Sequence, residues 1–214
     1  RSIFVFDWSF GIMYAMQPTA KGAGYTAKAE EFMSGSPLPL TDGQIGPDGA
    51  LYFLAGGRRI ESDLYRVYYK DNKQGTEALA HGDVPAEMKL RRQLEAWHVD
   101  STKADMNVIW PNLKHEDRFV RFAARVALEH QPSRTWEAKM LAEKDPVILT
   151  QSALAFARRG NKASRDAVMN ALSAVDVKGL SAGQQLDLLR AIEMVIYRMG
   201  VPGDAARKTM IAAL

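Results

Sequence analysis

The sequence predicts an α+β multidomain chain: a partial β-propeller of about two antiparallel blades, followed by an all-α solenoid of helix pairs. Three observations predict it. A plan of strand, turn, strand, turn, strand occurs twice, with Phe4 and Leu51 47 residues apart and Ile12 and Leu64 52 apart, close to the repeat of about 40–50 residues of propeller blades. Strand character then stops at Lys70. Beyond Pro85, apolar helical stripes recur every 28 to 40 residues. The expected boundaries are 1–72 for the blades, 73–84 for a linker and 85–214 for the helices.

In the first part, Ile3–Asp7 is rich in β-branched and aromatic residues and reads as a strand. Trp8–Gly11 turns the chain, and Ile12–Met16 returns. Pro18–Gly24 reads as a polar loop, Tyr25–Met33 as an outer strand, and Ser34–Pro37 as a break. Thr41–Ile45 and Ala50–Ala55 flank Asp48-Gly49, a strong hairpin signal because this pair tolerates positive φ. Gly56-Gly57 ends the second strand, and Asp63–Tyr69 alternates as a third. A propeller needs at least about four blades, so two predict that further blades belong to the protein.

In the second part, Pro85 opens a helix striped by Met88, Leu90, Leu94 and Trp97. Asp100-Ser101 is the expected cap of a helix running through Trp110, with Pro111 in its last turn. The segments led by Asp117 and Asp145-Pro146 match in register, Val120 with Ile148 and Ala127 with Ala155. A third copy ends at Arg198 and Gly200. Partner helices are expected over Ser133–Glu143, Lys162–Ala174 and Asp204–Leu214.

Composition excludes several functions. The 214 residues contain no cysteine, which removes disulfides, a thiol nucleophile, zinc–thiolate sites and CxxCH haem attachment from this chain. A net charge of +3 is too small to argue for nucleic acid without a concentrated patch. No apolar run approaches the ~20 residues of a membrane span. The chain opens on Arg1-Ser2-Ile3 in strand character and closes on helical Ala212-Ala213-Leu214, so it reads as a piece of a longer protein.

The segments DWSFGIMYAM, PLPLTDGQIGPDGALYFLAGGRR and SDLYRVYYK resemble the last propeller blades of the bacterial putative membrane-bound dehydrogenase, or haem-binding-domain, proteins. HEDRFVRFAARVALEHQ is similar to the HEAT helix of the same family. The resemblance implies a HEAT-like solenoid and a propeller of the glucose/sorbosone dehydrogenase type. It also implies an exported, periplasmic or extracellular setting, with pyrroloquinoline quinone and a c-type haem domain possible in the parent protein. The chain itself is expected to hold no cofactor.

Candidate chemistry is sparse. Arg58 and Arg59 follow two glycines on an inter-strand loop, where a guanidinium can hold an anionic cofactor; inter-blade ion pairing competes. Asp7, Trp8 and Asp42 lie near strand ends as candidates for a substrate face, with Trp8 and Phe10 as a sugar-stacking platform or as wedges between blades. Asp48 alone is far short of a Ca²⁺ ligand set. His81, His98, His115 and His130 have no metal-ligand spacing. Arg118, Arg121 and Arg125 share a helix face, joined by Lys89, Arg91, Arg92 and by Arg158-Arg159, but abundant acids argue against nucleic acid. There is no catalytic nucleophile and no phosphate loop to defend. The functional expectation is part of a quinone-dependent sugar-dehydrogenase-like protein whose helical part is a structural and protein-interaction module. A non-catalytic scaffold binding protein or glycan is the alternative, and a basic nucleic-acid binder ranks third. The expected partner is the rest of the propeller or another protein chain.

Overall fold

The computed structural model describes residues 2–57, 59–70 and 84–213. The chain divides into two compact units, Arg1–Val84 and Pro85–Leu214. The expected linker at 73–84 lies, apart from Val84, outside the described residues.

The first unit contains two antiparallel sheets of three strands each. One is β1 (Ile3–Asp7), β2 (Ile12–Lys21) and β3 (Gly24–Ser34), in that order. The other is β4 (Leu40–Ile45), β5 (Leu51–Gly57) and β6 (Ile60–Val67). Strand alternation turns Met13, Leu40, Leu51 and Phe53 inward as a small core, against which Phe4, Phe6, Met33, Leu38 and Val67 pack. The sheets meet where the Phe6 ring covers Gly43, close enough that a Cβ there would lie 2.7 Å from the ring. They are also tied by the Trp8 indole N–H, which donates to the Gly56 carbonyl at 3.1 Å.

This arrangement overturns the partial β-propeller. A blade is a four-stranded sheet, and each sheet here stops at three, with no further strand beside β3 or β6 among the described residues. The residues assigned to a Pro18–Gly24 loop are instead strand: Pro18 pairs with Ala27 in a long β2–β3 hairpin. Proline is tolerated there because β1 pairs only as far as Met16, which leaves that side of Pro18 without a ladder to break. The repeated strand plan therefore marks two small sheets rather than two blades.

The second unit comprises α1 (Ala86–Val99), α2 (Met106–Asn112), α3 (Arg118–Glu129), α4 (Glu137–Leu141), α5 (Pro146–Arg159), α6 (Arg165–Ser173), α7 (Ala182–Met199) and α8 (Asp204–Ala213). Asp117 caps α3 by accepting from the Phe119 and Val120 N–H groups, and Asp145 caps α5 through Val147 and Ile148. Ser181 and Gln184 form a reciprocal capping box on α7. α1 packs on α3, α3 on α5 and α5 on α7. Buried Ala123, Ala124, Ala127, Ala153 and Ala155 allow close helix approach.

The regular HEAT-like solenoid is corrected as well: the unit is a run of eight helices of uneven length among the described residues. The partner helices expected to repeat are broken. Ser133–Glu143 splits into a 3₁₀ turn at Ser133–Thr135 and the five residues of α4. The break falls at Trp136, whose backbone (φ −131°, ψ −3°) leaves helical geometry. That departure buries its indole edge-on against Phe156, ring centres 5.5 Å apart. Lys162–Ala174 likewise begins with a 3₁₀ turn, at Lys162–Ser164, capped by the Asn161 side chain. α2 reaches only seven residues and contains Pro111. The whole is a mixed α+β arrangement, two small sheets followed by helices.

Candidate functional site

The best-organised polar constellation sits on the outward face of the second sheet. The Asp48-Gly49 turn closes with the Gly46 N–H donating to Ala50 at 2.8 Å, and Gly49 takes φ +77°. Asp48 Oδ1 accepts the Ala50 N–H at 3.1 Å, which fixes its carboxylate. Register places Tyr52 opposite Arg66 and Leu54 opposite Leu64. Asp48 Oδ2 therefore receives the Tyr52 hydroxyl at 2.9 Å, Arg66 Nη2 at 2.8 Å and Arg66 Nε at 3.1 Å. The Arg66 guanidinium also lies 4.7 Å from the Tyr68 ring centre. These donors, Arg66 first and Tyr52 next, hold the Asp48 carboxyl down to about 2, and Asp48 in turn raises Arg66. The resulting face is Tyr52, Leu54, Leu64, Arg66 and Tyr68, with Leu64 67% and Tyr68 62% exposed. It is charge-balanced and apolar at its centre.

β6 also presents its other edge. It pairs with β5 alone among the described residues, and seven of its eight residues are exposed. Such an edge is a template for another strand.

The residues singled out from sequence are placed as follows. Arg58 lies outside the described residues. Arg59 is exposed in the β5–β6 turn at φ +62°. Trp8, Phe10, Pro37, Leu38 and Ile60 line an open cleft of about 260 Å³, so Trp8 does come beside the turn that carries Arg59. Asp7 does not face it as a free acid: its Oδ1 accepts the Ser9 and Phe10 N–H groups at 3.0 Å each, shaping the turn. Asp42 Oδ1 takes the Gly43 N–H at 2.8 Å. The structure thus joins Trp8 to the glycine turn and leaves the two aspartates to backbone work.

In the helical unit four of the eight cations of the basic cluster, Arg91, Arg121, Arg125 and Arg158, are held by groups of the unit itself. Arg121 donates to the His115 carbonyl at 2.6 Å, and Asp145 takes Lys114 at 2.8 Å. Arg91 pairs with Glu95 at 2.7 Å. Glu129, buried, bridges Arg125 at 3.1 Å and Arg158 at 2.8 Å. His98 Nε2 sits 2.8 Å from the Ala123 carbonyl and its ring stacks on His130, while His81 lies outside the described residues. Among the described residues no group of His, Asp and Glu could hold a metal ion. No described helix is long and apolar enough to cross a membrane.

Comparison with family models, with curated proteins and with solved structures found no match.

Sequence reasoning missed the Asp48–Tyr52–Arg66 constellation. Its signal was present: the alternation of DLYRVYY, folded back on a strand that starts after an Asp-Gly turn, puts Arg66 on the face of Tyr52. Glu129 was missed although its pair with Arg125 has the local i, i+4 spacing; its pair with Arg158 spans 29 residues and has no local signal.

Proposed function

We propose that this chain is a non-catalytic protein-interaction module, and that its β unit docks an extended segment of a partner protein along β6. The single observation carrying the reading is the exposed edge of β6, which pairs with β5 alone among the described residues, beside the Tyr52–Leu64–Arg66–Tyr68 face. Strand addition supplies backbone hydrogen bonds, and side-chain contacts on the flanking face supply specificity. Aromatic residues and arginine are enriched at protein interfaces. Asp48 neutralises Arg66, so the face offers no cationic attraction to nucleic acid. Glu61 and Asp63 on the same strand oppose indiscriminate pairing and favour a partner strand carrying basic residues. A photoreactive side chain in place of Leu64 tests the reading by reporting what lies against it.

The Trp8 cleft favours a second reading, a glycan-binding role within an exported dehydrogenase-like protein. Its support is the pairing of half-exposed Trp8 with exposed Phe10, on which the CH face of a sugar ring can pack while its hydroxyls stay hydrated. Pyrroloquinoline quinone, a polycarboxylate, calls for several cationic donors, and no arginine or lysine is among the described residues that line the cleft. Haem attachment through CxxCH has no residues here, since the chain lacks cysteine. Saturable shifts in the Trp8 indole resonance on titration with neutral oligosaccharides, lost in Trp8→Ala, are expected on this reading; their absence would dismiss it.

A further inference from the structure

The C-terminal ends of α3 and α5 lie beside each other and open a cavity of about 540 Å³ lined by residues 129–134 and 158–160. Basic residues at helix C-termini ordinarily offset the helix dipole, but the charge here exceeds that need. Glu129 is the single acid in the lining, and it is shared between Arg125 and Arg158; Asp187, outside the lining, also acts on Arg125, so the excess positive charge at the cavity rests on Arg158, Arg134 and Arg159. Arg134 and Arg159 line the same cavity, both exposed, and neither has an acidic partner among the described residues. The exposed His130 and the Ser133 hydroxyl add further hydrogen-bonding groups to the wall. The volume is that of a small-molecule site rather than of a single ion. Guanidinium forks match the oxygens of a phosphoryl group in pairs.

We propose that this cavity binds a small molecule through a phosphate-class oxyanion, with Arg134, Arg158 and Arg159 as the recognising donors and Glu129 as the residue that orients Arg158. The site is independent of the β-unit reading. Compact polyphosphate and the phosphate tail of a nucleotide share this chemistry.

The test is isothermal titration of the whole chain with pyrophosphate and with ATP at low ionic strength, with ¹⁵N-resolved shifts recorded alongside. One saturable site is expected, with shifts centred on residues 129–134 and 158–160. The Arg134→Ala/Arg159→Ala double variant, which alters only exposed side chains, is expected to weaken binding about ten- to a hundred-fold. Arg190→Ala, whose guanidinium pairs with Glu193 on α7, should leave it unchanged. ATP binding more tightly than pyrophosphate would identify a nucleotide, and equal binding a free polyphosphate. No saturable binding, shifts centred elsewhere, an unaffected double variant, or equal binding of citrate would each overturn the proposal.

Discussion

Arg66 reaches across the β5–β6 hairpin and closes on Asp48 Oδ2 at 2.8 Å, tying the end of β6 to the turn before β5. Because Tyr52 joins the same oxygen, three side chains from one turn and two strands form a fixed unit on an exposed face. Both side chains of the ion pair are solvent-accessible, so its worth lies in orientation more than in stability.

The first prediction concerns pH. Asp48 is held at about 2, below its unfolded value of about 3.9. A depressed carboxyl contributes stability that is complete above the unfolded pKa and is lost as pH falls through the folded one. Loosening of the Asp48–Arg66 contact is therefore expected between about pH 4 and pH 2, not near neutrality. Carboxyl ¹³C titration should show Asp48 near 2, and Arg66→Ala should return it toward the ordinary aspartate range. An Asp48 that titrates ordinarily in the unaltered chain would refute the geometry.

The second concerns Glu129. Its carboxylate is buried between two guanidiniums, and burial depresses Arg125 despite this partner. Glu129→Gln leaves two cations facing each other at the ends of α3 and α5. The expected cost is about 2–3 kcal/mol, below that of a fully buried pair because Arg158 is half exposed. The midpoint of urea unfolding, followed by helical circular dichroism, measures it. A loss under about 0.5 kcal/mol would place Glu129 among ordinary surface pairs.

The helical unit's packing depends on the chain break at Trp136. Trp136→Ala should cost about 3–5 kcal/mol, because the indole is 1% exposed and fills the space beside Phe156. Trp136→Phe should recover part of that. If the two variants were equally stable, the edge-on contact would not be what organises α4.

Gly11 offers a sharp test of the β unit. It sits at φ +65°, donates to Asp7 and accepts from Gly35, and a Cβ would run into the Gly35 carbonyl oxygen. Gly11→Ala should destabilise this unit by about 1–3 kcal/mol, read as faster amide exchange in β1 and β2 with α5 and α7 unchanged.

The strands and helices were largely legible in the sequence, because alternation in IFVFD and DLYRVYY and the acid caps Asp117 and Asp145 are local signals. Their assembly was not. The strand spacing fitted a propeller, but blade or small sheet is decided by whether a fourth strand pairs, which spacing does not encode. Pro18 looked like a loop residue, since its tolerance depends on where β1 ends. The repeat of helical stripes hid the break at Trp136, whose departure from helix serves a contact 20 residues away. Of the candidate site, Trp8 and its neighbouring turn were legible. Arg66 required knowing the register of β5 against β6.

The central claim is that β6 and its Tyr52–Arg66 face form a partner-docking surface. The most direct measurement is photo-crosslinking in the cells that make the protein, with benzoylphenylalanine in place of Leu64 and, as control, of the exposed Lys178 on the helical unit. The account predicts one discrete protein product from position 64, mapped to an extended segment of its partner and lost when Tyr52→Ala and Arg66→Ala are combined. Crosslinking from position 64 no greater or more specific than from position 178 would contradict it.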